Sequence, residues 1–307
     1  MKAIQIKEYG EPEVLVLREV ADPVAAEGEI VVAIHAASVN PTDWKTRAGL
    51  RSGASLLPWI PGCDFSGTVS ALGPGVTDFT VGDAVFGVPP QGGGGTYGEA
   101  IAIDAGLVAP KPSGLSHVAA AALALVGLTA LVSLVDAAKI KAGETILIQG
   151  GAGGVGGFAV QCAKHAGATV YATTSTRNIG YVRRLGAHGV IDYTADDFTK
   201  AVPPCDVVFD TVGGAVQERS FSVLKPGGRL VWIARGSIDA PPPPAHVEMI
   251  RPRVDRHRRH MERITELVGL GAVTAPEITT FPLAQVAEAH EMSATGHVRG
   301  KIVLVVR

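Results

Sequence analysis

The chain has 307 residues, 47% of them hydrophobic, with 27 Lys and Arg against 29 Asp and Glu for a formal net charge of -2. That length accommodates two domains with substantial cores, and the balanced charge offers no broad basic field for nucleic acid or an anionic membrane surface. Three widely spaced cysteines (Cys63, Cys162, Cys205), with no CxxC pair, match neither a disulfide framework nor a cysteine-rich zinc lobe and fit a reducing, cytoplasmic setting.

The opening stretch "MKAIQIKEYGEPEV" alternates charged and apolar residues and has no apolar h-region, so it reads as no secretion signal. Residues 1 to about 110 hold short strand patterns ("KAIQIKEY", "EIVVAIHAASV", "SGTVSALG", "DAVFGV") separated by Gly- and Pro-rich turns, which predicts a compact, mostly β domain. Val118 to Val135 is an uncharged run long enough to span a membrane. Its alanine richness, its Gly127, Thr129 and Ser133, and its lack of flanking anchors predict a helix buried between domains instead. From Glu144 onward, apolar β-branched runs ("ETILIQ", "ATVYATT", "HGVIDY", "CDVVFDTV", "GRLVWIA", "AHVEMI") alternate with helical stretches, the pattern of a doubly wound parallel sheet. After "PPPP" at 241 to 244 come a polar helix over about 253 to 269, a strand "EITTFP", a helix near 283 to 295 and a closing strand "KIVLVV". This tail has too little apolar surface to fold alone and is expected to return to the N-terminal domain.

Between the first of these later strands and its helix lies "ILIQGGAGGVGG", in which Gly151, Gly153 and Gly156 satisfy G-x-G-x-x-G. In that context the first glycine allows a tight turn, the second lets backbone approach a pyrophosphate, and the third packs helix on strand. The helix N-terminus then offers N–H groups to the phosphates. About 20 residues on, where an acidic residue would hold the ribose of NAD, the chain has "ATVYATTSTRN". Ser175, Thr176 and Arg177 suit a 2′-phosphate, so NADPH is favoured. Tyr193, after the third strand, is a further candidate for that phosphate, with a plain strand-end aromatic as its alternative.

Several segments together resemble one family, the medium-chain dehydrogenase/reductase superfamily, and within it the zinc-free quinone oxidoreductase (zeta-crystallin-like) branch. They are "VNPTDWKTRAG", "PGCDFSGTV", "GPGVTDFTVGDAVFG", "GTYGEA", "GLTA", "GGAGGVG", "LGAHGVIDY", "FDTVGG", "LKPGGRLVWI" and "GHVRGKIVLVV". The resemblance implies an α/β protein with a Rossmann dinucleotide-binding domain, residues 124–252. Around it would lie a discontinuous GroES-like catalytic domain, residues 1–123 and 253–307, with the nicotinamide in a cleft between the two. It places Asn40 and Thr129 at the nicotinamide, and Ala152, Gly153, Gly154, Val155 and Lys301 at the pyrophosphate. Ser175, Arg177 and Tyr193 fall at the 2′-phosphate, with Val212, Ile233 and Arg235 along the cofactor's path.

On the substrate side the same resemblance places Asp43, Trp44 and Tyr97, with Asn40, Asp43 and Tyr97 as catalytic candidates and Tyr97 as the one plausible proton donor. Zinc-dependent relatives carry ligands where this chain has Pro41, Cys63 and a residue near Leu125, which leaves a single thiol and implies no catalytic zinc. Cys63 then reads as a packing residue and Cys162 as the buried face of the helix after the glycine turn. Without a metal to polarise an alcohol oxygen, the implied activity is NADPH-dependent hydride transfer to a quinone or to the C=C bond of an α,β-unsaturated carbonyl. Two alternatives stay open, an enoyl reductase acting on a biosynthetic polyketide or thioester intermediate and a catalytically silent NADPH-binding protein. Trp44 stands where thioester reductases have a tyrosine nearby, which tells against the first. The expected partner is a small quinone or enone, with no nucleic acid and no membrane, in a homodimer.

The arginine-rich stretch "RPRVDRHRRHMER", 251 to 263, reads as a solvated helical face, lacking the aromatics of a nucleic-acid site. His257 and His260 have no third ligand nearby, and no G-x-S-x-G elbow supports hydrolase chemistry.

Overall fold

The computed structural model describes residues 1–50, 57–234 and 242–307. Its contacts divide the chain into two units, Met1–Leu125 with Arg256–Arg307, and Val126–Asp255.

In the first unit, β1 (Lys2–Gln5) and β2 (Val16–Glu19) form an antiparallel ribbon. The chain then runs through β3 (Glu29–Val39), α1 (Pro41–Arg47), β4 (Phe65–Leu72), β5 (Ala84–Gly87), β6 (Ala100–Asp104), β7 (Val108–Pro110) and α2 (His117–Leu131). The spine is β3, whose eleven residues are mostly apolar and mostly buried. Its first half pairs with β6, Glu29 opposite Asp104 through Ala33 opposite Ala100. Its second half pairs with a strand from the far end of the chain, as described below.

The second unit alternates β8 (Thr145–Gln149), α3 (Gly154–His165), β9 (Thr169–Thr174), α4 (Ile179–Arg184), β10 (Gly189–Asp192), α5 (Phe198–Ala201), β11 (Cys205–Asp210), α6 (Ala215–Ser220), β12 (Leu224–Trp232) and β13 (Glu248–Ile250). Every pairing is parallel and the strand order is β10-β9-β8-β11-β12-β13. Counted from β8 this is 3-2-1-4-5-6, the order of dinucleotide-binding sheets, and the order reverses at β8, where such sheets place their ligand. Ile146, Leu147 and Ile148 of β8 are fully buried, as the unbroken apolar run of a strand covered on both faces requires.

The chain returns to the first unit through α7 (Arg258–Gly269), β14 (Ile278–Pro282), α8 (Val286–Ala294) and β15 (Lys301–Val305). The closing strand pairs antiparallel with β3, Ile302 opposite Val39 through Val305 opposite Ala36, so the terminus completes the first unit's sheet.

Two details depart from the sequence reading. The polar helix begins at Arg258 rather than near 253, where the His257 ring caps the first turn, accepting from the Arg259 N–H at 3.2 Å. Its arginines are also not simply solvated. Arg258 lies over the Phe79 ring, donates to the Ala105 carbonyl and pairs with Asp78; Arg256 donates to the Pro89 carbonyl. The apolar run continues from α2 through a π-helical segment, Val132–Ala137. By length and composition His117–Ala137 passes as a membrane span, yet 72% of its most apolar window is buried within the protein.

Candidate active site

The turn from β8 to α3 carries the three motif glycines, two of which packing requires. A Cβ on Gly156 would lie 2.2 Å from the Gly150 carbonyl oxygen, and one on Gly151 would lie 2.8 Å from the Ala172 methyl. Both are therefore required by packing. Gly153 is different, since a Cβ there would meet nothing closer than the Gly150 oxygen at 3.6 Å. Packing does not require a glycine there, and a residue without a side chain at that place in the motif lets backbone approach a pyrophosphate. Ala152, Gly153, Gly154 and Val155 form this turn, and the N-terminus of α3 adds donors without intrahelical partners. These residues fit a nucleotide diphosphate.

At the end of β9, Ser175 precedes a short 3-10 turn, Thr176–Asn178, and accepts a hydrogen bond from the Asn178 side chain at 3.1 Å. Arg177 and, after β10, Tyr193 are both exposed at this edge of the sheet. The described structure therefore brings a hydroxyl, a guanidinium and a phenol to the ends of two adjacent strands. Val212 and Ile233 follow the ends of β11 and β12 and are partly exposed. Asp210 holds the Val212 segment by accepting from the backbone N–H groups of Val212 and Gly213, both at 2.9 Å. Thr129 is half-buried, its carbonyl accepting from Ser133 Oγ at 2.6 Å. Arg235 lies outside the described residues.

In the first unit the segment between β3 and α1 builds a closed polar cluster. Asp43 and Tyr97 have no exposed surface, and Asn40 and Lys301 are buried. Asp43 Oδ2 accepts from the Asn40 backbone N–H at 2.8 Å and from the Tyr97 hydroxyl at 2.9 Å, while Oδ1 accepts from the Cys63 thiol at 2.9 Å. The His290 ring, from α8, stands edge-on to Tyr97 with Nε2 3.4 Å from the phenol oxygen. Burial pushes Asp43 up to about 6, against the opposing pull of its hydrogen bonds from Cys63 and Asn40. Burial and the nearby Asp43 charge raise Cys63 and Tyr97 well above their ordinary ranges. Burial, helped by the Arg47 charge, takes His290 down to about 3.

Asn40 joins this group to a second one. Its side-chain N–H donates to Asp64 at 3.0 Å and its Oδ1 accepts from the Lys301 ammonium at 2.7 Å. Asp64 also accepts from Ser38 Oγ, at 2.8 Å to each carboxylate oxygen, and from the Leu125 backbone N–H at 3.3 Å. Lys301 further donates to the Val39 carbonyl at 2.8 Å. Burial lowers the Lys301 pKa and raises that of Asp64, and each charge partly offsets the other's shift.

The resemblance places Tyr97 on the substrate side as the one plausible proton donor; its hydroxyl hydrogen is directed to Asp43, and neither side chain has exposed surface. Lys301, expected at the pyrophosphate, gives its ammonium to Asn40 and Val39. Trp44 is half-buried on α1, with the Lys45 ammonium 5.4 Å from its ring centroid. Ser38, Asp64 and His290 escaped the sequence reading. Asp64 sits inside the quoted "PGCDFSGTV", a usable signal, whereas nothing in the tail marks His290 as a partner of Tyr97. Among the described residues no group of three or more His, Cys, Asp or Glu side chains is arranged to hold a metal ion. His260 is buried on α7 and its Nε2 lies 3.3 Å from Arg259 Nε.

Residues 26–113 match the family model described as alcohol dehydrogenase GroES-like domain, and residues 185–304 match the one described as zinc-binding dehydrogenase. The chain is 35% identical to a 2-methylene-furan-3-one reductase of Solanum lycopersicum, over 99% of this chain and 79% of that protein. A quinone oxidoreductase structure from Coxiella burnetii superposes with a TM-score of 0.89 at 35% identity, covering 100% of this chain and 99% of the other. An Escherichia coli quinone oxidoreductase complexed with NADPH superposes with a TM-score of 0.90 at 28% identity, covering 100% of both. A GroES-like unit and a Rossmann unit, matched over the whole length by these relatives, place the chain in the medium-chain dehydrogenase/reductase superfamily, in its quinone oxidoreductase branch.

Proposed function

We propose that the protein is an NADPH-dependent reductase of quinones or of the C=C bond of α,β-unsaturated carbonyl compounds, working without a metal. The observation that carries this is the pairing of the glycine turn before α3 with Ser175, Arg177 and Tyr193 at the adjacent strand ends, a guanidinium standing where an NAD site has its acid. The NADPH complex of the E. coli relative and the enone-reducing name of the tomato relative support the same reading.

Bound NADPH supplies a hydride to the electrophilic carbon of the acceptor. The chain's own part is to grip and orient the cofactor. Ala152 to Val155 would hold the pyrophosphate, Ser175, Arg177 and Tyr193 the 2′-phosphate, Asn40 and Thr129 the nicotinamide end, and Val212, Ile233 and Arg235 the path between. Asn40 is held by Asp64, the Ser38 carbonyl, Lys301 and Asp43. Asp43 and Tyr97 hold a proton within the core, and the proton that completes turnover comes from solvent. A metal-free reaction is favoured by the zinc-ligand positions implied by the family, since Pro41 and Leu125 offer no donor side chain and the Cys63 thiol is bonded to Asp43.

The test is NADPH oxidation against a panel of enones and quinones, with and without chelator. Turnover of at least one acceptor, unchanged by chelator, is expected; tight NADPH binding with no turnover would favour the catalytically silent alternative. The protein would work in the cytoplasm as a homodimer joined along the edge strand β13.

A further inference from the structure

We propose that Asp192 is a positioning residue for the adenosine 2′-phosphate: from the end of β10 it fixes the turn that carries Arg177, and so sets the preference for the phosphorylated dinucleotide. The inference rests on the NADPH reading above and adds to it a residue that does not itself face the ligand.

The turn at issue, Thr176–Asn178, has Arg177 at its centre; the Asn178 N–H closes it on the Ser175 carbonyl at 2.9 Å. Asp192 ties it to the end of the neighbouring strand. One carboxylate oxygen accepts from the Thr176 hydroxyl, and the other from the Thr194 backbone N–H at 3.0 Å and the Thr194 hydroxyl at 2.7 Å. The two threonine hydroxyl oxygens lie 3.1 Å apart. Parallel pairing sets Asp192 opposite Thr174, two residues before Thr176, so the knot ties the ends of both strands.

A carboxylate this close to a phosphate site would ordinarily repel the ligand. Here it is only 7% exposed and its lone pairs are directed to hydroxyls and amides of the same knot, while Arg177 beside it is exposed. The same hydrogen bonds, from Thr176 first and then Thr194, hold its carboxyl below the usual range, so it stays a strong acceptor throughout neutral pH. Its role is then mechanical: it fixes Thr176, and Thr176 fixes the backbone next to Arg177.

The test is calorimetric binding of NADP⁺ and NAD⁺, which differ only in the 2′-phosphate, to the purified protein and to Arg177→Ala, Asp192→Asn, Thr176→Val and Thr176→Ser. The unmodified protein should bind NADP⁺ at least tenfold more tightly, and R177A should erase that ratio. D192N and T176V should each lower the ratio at least threefold with NAD⁺ affinity unchanged, and T176S should retain it. If R177A erases the ratio while D192N and T176V leave it intact, raise it, or weaken both nucleotides equally, Asp192 has no such role and the NADPH reading stands. If the unmodified protein shows no ratio, the NADPH reading falls and this inference falls with it.

Discussion

Tyr97 donates its phenolic hydrogen to Asp43 at 2.9 Å from a position with no exposed surface on either side chain. Changing Tyr97 to Phe leaves a buried carboxylate one donor short, which costs about 1–3 kcal/mol. The folded-state pKa of Asp43, near 6, lies above its ordinary value of 3.8. As pH falls through 6 the folded protein therefore gains a proton that the unfolded chain does not yet bind, and is stabilised. Loss of the Tyr97 donor raises that pKa further, so urea denaturation should show a larger deficit at pH 7.5 than at pH 5. Equal deficits at both would mean that the phenol does not govern the ionisation of Asp43.

His290 should act in the opposite direction. Because the Tyr97 hydrogen is given to Asp43, only an imidazole protonated on Nε2 can offer the phenol oxygen a donor. Charging the ring is opposed by burial, and its folded pKa of about 3 lies below the ordinary 6.5. Its contribution is complete above pH 6.5 and declines as pH falls toward 3, by about 2 kcal/mol at pH 5. In His290→Gln, whatever its stability at pH 7, the further loss between pH 7 and pH 5 should be smaller than in the unmodified protein by that amount. Parallel pH profiles would count against it.

The glycine turn separates packing from ligand binding. Gly153→Ala should fold with an unchanged Tm, because its Cβ meets only the Gly150 oxygen at 3.6 Å, and should weaken NADPH at least tenfold in a fluorescence titration. Gly156→Ala should lower the Tm, its Cβ falling 2.2 Å from the Gly150 oxygen. Full NADPH affinity in G153A would remove the phosphate from that turn.

Lys301 and Asp64 form a charge pair bridged by Asn40. Lys301→Met should destabilise by about 3–5 kcal/mol, leaving Asp64 buried without its compensating charge. The double variant Lys301→Met with Asp64→Asn should recover part of that loss in denaturant titrations. If the double variant is no more stable than the single one, the two charges are not coupled.

Much of this protein was legible from local pattern. The unbroken apolar runs from Thr145 onward, each followed by a helical stretch, can bury both faces only in a parallel sheet, and the glycine spacing after β8 names its ligand class through backbone shape alone. Arg177 stood out for the same reason, since charge type at a fixed offset needs no long-range information. The buried cluster was legible only in part. Asn40 and Asp43 are three residues apart and their bond is local, but Tyr97 and Lys301 reach them, and His290 reaches Tyr97, across 54 to 261 residues of chain.

Sequence by itself therefore determined the fold class, the nucleotide turn and the identity of the 2′-phosphate candidates, because periodicity and turn chemistry are properties of neighbouring residues. Tertiary structure alone decided that Tyr97 serves Asp43, that Lys301 anchors Asn40, and that the closing strand fills the second half of β3. Those outcomes depend on which buried polar groups find each other once water is excluded, and a buried donor takes the acceptor that packing brings to it, wherever that acceptor lies along the chain.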